Sequence, residues 1–223
     1  MTAPDFDELY RGETQLGGMP RIPWDIGEPQ PLVVELEAAG EFRGAVLDAG
    51  CGLGENALFL AGRGYDVTGI DGSPTAIERV RTKAAELGLD ARFAVAEATR
   101  LDGFDGRFDT VLDSALYHCL TIEQQREYAA TLHRVTRPGA TLHLLCLAER
   151  LGAELGPMVI TPENLRGTFG EGWHITRLER RGYTTSVMPE NLMPEPPPEA
   201  PKISLDDRGR FLMPIWQLAA TRA

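Results

Sequence analysis

The stretch from Ala45 to Gly64, AVLDAGCGLGENALFLAGRG, limits what this chain can fold into more than any other. Ala45, Val46 and Leu47 form a short apolar run that reads as a buried strand. Gly50, Gly52 and Gly54 follow at once, ahead of a helical pattern from about Gly54 to Ala61. Glycines spaced this way between strand and helix make a tight turn whose bare backbone a ligand can approach closely. Asp66 to Ile70 reads as the next strand, and Asp71 closes it, 21 residues after Gly50. A carboxylate at that place can accept both hydroxyls of a ribose.

The alternation of short apolar and longer amphipathic runs continues, which predicts a doubly wound α/β sheet. Ser73 is an N-cap candidate with Pro74 at the first helical position, and Gly88 stands where a C-cap glycine belongs. Strands are expected at Ala91 to Ala96, Phe108 to Leu112 and Thr141 to Leu147, the last entered by a Pro138-Gly139 turn. Thr121 and Gln124 form a capping box, and Thr161-Pro162 opens a further helix. Ile175 to Val187 and Phe211 to Thr221 read as an antiparallel pair. The expected fold is therefore a Rossmann-like, mostly parallel seven-stranded sheet with helices on both faces and that pair at its C-terminal end. One domain is expected over 1–223, with an N-terminal lid segment at 1–40, a cofactor-binding core at 45–147 and a Pro-rich loop at 188–205.

Charge separates the ligands that suit such a turn. A dinucleotide sets its pyrophosphate over the glycines at the helix N-terminus. Here Asp48 precedes them, Glu55 follows them, and their spacing is G-x-G-x-G. S-adenosyl-L-methionine, which carries an ammonium and a sulfonium, suits an acidic rim. With 22 Lys and Arg against 33 Asp and Glu, the formal charge of −11 argues against nucleic acid and anionic membranes as partners. Three cysteines, no apolar run of membrane length and an acidic N-terminus lead to a cytoplasmic location. Neither histidines nor cysteines pair at metal-ligand spacing, so no metal is expected. Monomer and homodimer both stay open.

Four motifs in order then resemble the class I S-adenosylmethionine-dependent methyltransferases. They are LDAGCGLG, GIDGSP, AVAEATRL and FDTVLDSALYHCL, with RVTRPGATLHLL similar to the helix and strand that follow. The resemblance implies a methyltransferase that turns the cofactor into S-adenosyl-L-homocysteine. It implies cofactor contacts at Asp48, Gly50, Cys51 and Gly52 near the methionine end, and at Asp71, Gly72 and Ser73 around the ribose. Glu97 and the Ala98 amide would meet the adenine, and Asp113 and Ser114 would flank the methionine portion. Upstream, RIPWDIGEPQP is similar to a segment of thiol, halide and thiopurine methyltransferases and of actinobacterial heterocyclic toxin methyltransferases. There it folds over the cofactor, so Trp24 would cover the sulfonium and touch substrate. Tyr10-Arg11-Gly12 stands where plant thiol and halide enzymes place tryptophans, which favours a small aromatic hydroxy-heterocycle as acceptor over a thiol or halide.

Methyl transfer is an in-line displacement that needs proximity and a dry site, and a base only for a weakly acidic acceptor. His118 is the candidate base and a substrate contact, Tyr117 a ring to stack on or orient the acceptor, and Tyr10, part of the lid, a further substrate contact.

Overall fold

The computed structural model describes residues 5–15, 22–149, 159–188 and 204–223. Its elements run in the order α1 (Phe6–Arg11), α2 (Pro31–Ala38), β1 (Ala45–Ala49), α3 (Glu55–Gly62), β2 (Asp66–Asp71), α4 (Pro74–Leu87), β3 (Arg92–Val95) and β4 (Phe108–Ser114). A 3₁₀ turn at Tyr117–Cys119 follows, then α5 (Ile122–Val135), β5 (Thr136–Leu147), α6 (Pro162–Thr168), β6 (Trp173–Thr184), β7 (Ser204–Leu205) and β8 (Phe211–Arg222). Most of the Pro-rich loop expected at 188–205 lies outside the described residues.

The sheet order is β3-β2-β1-β4-β5-β8-β6, with β1 to β5 parallel and β8 antiparallel to both its neighbours. Seven strands form this path, and the two-residue β7 pairs with β8 as an eighth that sequence did not suggest. Strand β5 also starts earlier than expected, at Thr136. Pro138-Gly139 lies inside it, and a register shift against β4 between Phe108 and Thr110 absorbs the missing donor. Elsewhere the local signals decide the ends. The Ser73 hydroxyl caps α4 by accepting from the Ala76 amide at 3.0 Å, Gly88 ends it in the left-handed region, and Thr121 and Gln124 close their box on α5.

Each face of the sheet has its own core. Leu36 of α2, Leu60 of α3 and Ile77 and Val80 of α4 pack on one face, and Tyr128 and Leu132 of α5 with Leu165 of α6 pack on the other. Leu87, at the end of the apolar stripe of α4, projects beyond the sheet and is 57% exposed. Because β1 to β4 are parallel, their C-terminal ends share one edge, where Asp48, Asp71 and Asp113 converge. The crevice outside that edge is where such sheets hold ligands.

Candidate active site

The glycine turn is fixed from below. Cys51 donates its amide to the Ile70 carbonyl at 2.8 Å, and Gly54 donates to Cys51 at 2.9 Å. Gly50, Gly52 and Gly54 all have positive φ, a conformation costly for other residues. A side chain at Gly54 would meet Val80 at 2.1 Å, so that glycine lets α3 and α4 pack. A side chain at Gly52 would meet the Tyr10 hydroxyl at 2.7 Å, so the turn lies directly under α1.

Asp71 is held in register with the turn. Its carboxylate accepts from the Gly52 amide at 2.9 Å and from the Ser73 amide at 2.8 Å. Burial still raises its pKa, and those two amides pull the other way. Helix α1 is clamped beside it: the Asp7 carboxylate accepts from the Ser73 hydroxyl and from the Thr75 amide at the start of α4. An anion at a helix N-terminus is favoured. Tyr10 is 5% exposed and accepts a hydrogen bond from the Trp24 indole at 3.2 Å, and Phe6 packs on the same indole. Tyr10 and Trp24 thus roof the glycine turn.

Two buried carboxylates stand on adjacent strands below. Asp113 accepts from the Leu116 and Tyr117 amides and from the Tyr128 hydroxyl, and burial pushes its pKa up to about 7. Asp48 is 1% exposed, and its Oδ2 has no partner among the described residues. Burial, then the neighbouring Asp113 and Asp71, push it up to about 8. A neutral ligand would leave this carboxyl as it is, and a cationic one would draw it toward its ionised form. The orphaned Asp48 oxygen and the bare glycine turn therefore fit a cofactor that is positive near the methionine end and flat against backbone.

The cleft that remains is lined by Tyr10, Trp24, the glycine turn, Ser114 and Tyr183, with Asp25, Glu28, Glu55, Gln30 and Asn56 around it. Gly72, Ser73, Glu97 and Ala98 lie along the same strand ends beyond it. Gly72 is exposed and Ser73 buried, while exposed Glu97 accepts from the Thr99 hydroxyl and Ala98 is buried. Gln30 and Tyr183 escaped sequence reasoning. Tyr183 comes from β6 and pairs its hydroxyl with Ser114 at 3.1 Å, a contact that no local spacing announces.

One expectation is corrected and a second is constrained. Tyr117 is wholly buried and turned into the core, where its hydroxyl donates to Asn164 Oδ1 and pairs with the Thr168 hydroxyl of α6. The 3₁₀ turn aims it at the helix layer, so it offers no stacking surface to an acceptor. His118 accepts the Leu147 amide at Nδ1, 3.2 Å away, and burial lowers its pKa to about 4. With Nδ1 accepting, the neutral ring carries its proton on Nε2, so acting as a base there would cost the Leu147 hydrogen bond.

A family model described as a methyltransferase domain matches residues 46–139. The chain is 43% identical over 173 residues to the 2-heptyl-1-hydroxyquinolin-4(1H)-one methyltransferase of Mycobacteroides abscessus, covering 76% of each chain. It is also similar to a solved structure concerned with conversion of a disulfide bond into a thioacetal group during echinomycin biosynthesis. That match has 40% identity and a TM-score of 0.81 over 97% of this chain and 90% of the other. The fold is shared with magnesium protoporphyrin IX methyltransferase of Synechocystis bound to S-adenosylhomocysteine, at 22% identity and a TM-score of 0.62 over 86% and 80% of the two chains.

Proposed function

The chain belongs to the S-adenosylmethionine-dependent methyltransferases, and we propose that it methylates small planar hydroxy-heterocycles that reach the site already ionised. The cofactor supplies an electrophilic methyl group on a sulfonium. Everything else is positioning by this chain. Asp71 accepts the ribose hydroxyls with the oxygen lone pairs that Gly52 and Ser73 leave free, and Gly72 and Ser73 border them. Gly50, Cys51 and Gly52 carry the backbone beneath the methionine portion, flanked by Asp48, Asp113 and Ser114, while Glu97 and the Ala98 amide face the adenine. Trp24 and Tyr10 exclude water above, so they serve the lid role expected of the N-terminal segment at 1–40, over a core at 45–147. The Ser114 and Tyr183 hydroxyls, 3.1 Å apart, orient the acceptor oxygen.

The observation that carries this reading is the state of His118. Its Nδ1 accepts the Leu147 amide and burial lowers its pKa to about 4, so a base role for this imidazole would cost that hydrogen bond and gain a weakly basic group. An acceptor that ionises by itself needs only proximity and desolvation. The hydroxyquinolinone named for the 43%-identical relative is such a molecule in kind. A second reading, a sulfur acceptor, draws on the 40%-identical structure concerned with disulfide-to-thioacetal conversion.

The test is S-adenosylhomocysteine release with hydroxyquinolones, phenols of graded acidity, thiols and iodide. Turnover is expected on hydroxy-heterocycles, with kcat/KM rising with pH to a plateau set by the pKa of each acceptor. A profile whose inflection stays at one pH for every acceptor, and is lost in His118→Ala, would restore a histidine base. Turnover confined to thiols would transfer the enzyme to the second reading.

A further inference from the structure

Gln30 opens the segment leading into α2 and lies under the cleft, 2% exposed. Its backbone amide donates to Asn56 Oδ1 at 2.9 Å, which ties it to the first turn of α3. Its side-chain nitrogen donates to the Thr184 carbonyl at 3.0 Å. A backbone carbonyl can only accept, so the amide cannot be turned over, and Oε1 must point the other way. Oε1 is buried and has no hydrogen-bond partner among the described residues.

A buried acceptor left unpaired is unfavourable, and a ligand that donates to it gains what water can no longer supply. The surroundings say which kind of donor. Asp25, Glu28 and Glu55 line the same cleft, and among the described residues neither lysine nor arginine lines it. Glu55 is paired with Lys83 and Glu28 with Arg208 and Arg210, all reaching in from outside. The cleft thus offers oxygen acceptors beside the glycine turn and favours a cation. A neutral amide oxygen suits a cation already facing carboxylates, since it adds an acceptor without another charge to bury.

We infer that Gln30 Oε1 accepts a hydrogen bond from the α-ammonium of the cofactor, fixing the methionine end while Asp71 fixes the ribose; this rests on the cofactor reading given above. Gln30 is then a specificity residue for the amino-acid half of the cofactor, supplied by the segment before α2 and held by β6 and α3.

Titration calorimetry on the full chain tests this with three ligands: S-adenosylhomocysteine, its analogue with the α-amino group replaced by hydrogen, and 5′-methylthioadenosine, which lacks the amino-acid end. Gln30→Met is expected to weaken S-adenosylhomocysteine about 10- to 100-fold, the range of a hydrogen bond to a charged group. It should leave 5′-methylthioadenosine within about twofold. Removing the amino group should cost the wild type a similar factor and Gln30→Met almost nothing, because the same contact is already gone. Equal losses for all three ligands would mean that Gln30 only supports the fold and would overturn the inference, as would unchanged S-adenosylhomocysteine binding. If Gln30→Met does not fold, the wild type decides alone: deamino analogue and parent bound equally well overturns it. A wild type that binds none of the three refutes the cofactor reading instead.

Discussion

Asp48→Asn changes one oxygen for a nitrogen at a site with no exposure to spare, so its effect is electrostatic. Burial and two neighbouring carboxylates raise the Asp48 carboxyl from the ordinary 3.8 to about 8 in the folded chain. Between those values the folded state keeps a proton that the unfolded state has released. Stability from this group is therefore full below about 3.8 and is lost as pH rises through about 8. Each pH unit in that window costs about 1.4 kcal/mol. From about pH 5 to about pH 7 the wild type should lose on the order of 3 kcal/mol through Asp48, two units at that slope. Asparagine does not titrate, so this share disappears, while Asp113, raised to about 7 by its own burial, contributes in both proteins. The assay is urea unfolding of ligand-free wild type and Asp48→Asn at the two pH values. The stability difference between them should move by about 3 kcal/mol in favour of the variant at the higher pH. A difference that holds within about 0.5 kcal/mol at both would mean that Asp48 is ionised in the fold, and the reasoning fails. The same variant should bind S-adenosylmethionine less tightly, since an amide cannot ionise beside a cation.

Tyr117→Phe deprives Asn164 of a donor and the Thr168 hydroxyl of its partner; chemical denaturation should show a loss of about 1–2 kcal/mol while kcat stays within about twofold. A collapse of kcat with stability intact would return Tyr117 to the acceptor site. Gly54→Ala adds a Cβ 2.1 Å from Val80 at φ +85°; a loss of about 3 kcal/mol or more is expected in the same assay, and a near-neutral result would contradict the helix contact. His118→Ala leaves the Leu147 amide without its acceptor, which should cost about 1–3 kcal/mol, yet the pH profile of kcat for an acidic acceptor should keep its inflection. Loss of the inflection alone would reinstate the base.

Local rules carried the sequence reading far along this chain. The glycine turn, Asp71 at a strand end, the Ser73 cap and the Thr121–Gln124 box depend on residues only a few positions apart, or on one βαβ unit. Failures came where long separations decide. Tyr183 reaches Ser114 across 69 positions, and Gln30 reaches Thr184 across 154, so neither spacing could betray a shared cleft. Tyr117 misled for a different reason. It neighbours a motif that resembles the cofactor edge, yet a single 3₁₀ turn rotates it toward α6, a choice set by the polar partners waiting on that helix. Pro138 was read as a boundary, and the β4 register shift lets the strand run through it.

The place of β8 has a consequence for how the molecule comes into being. Strand β8 lies between β5 and β6, and among the described residues β6 joins the sheet only through it. A growing chain can assemble β1 to β5 and their helices early, since domains consolidate from the N-terminus at about 5–20 residues per second of synthesis. Strand β6, already made, must wait with its edge unpaired until residues 211–222 emerge and slide in between. Tyr183 rides on that waiting strand, so the wall it gives the cleft is among the last parts to arrive. A nascent chain paused within the Pro-rich stretch would hold a finished glycine turn and an open acceptor side.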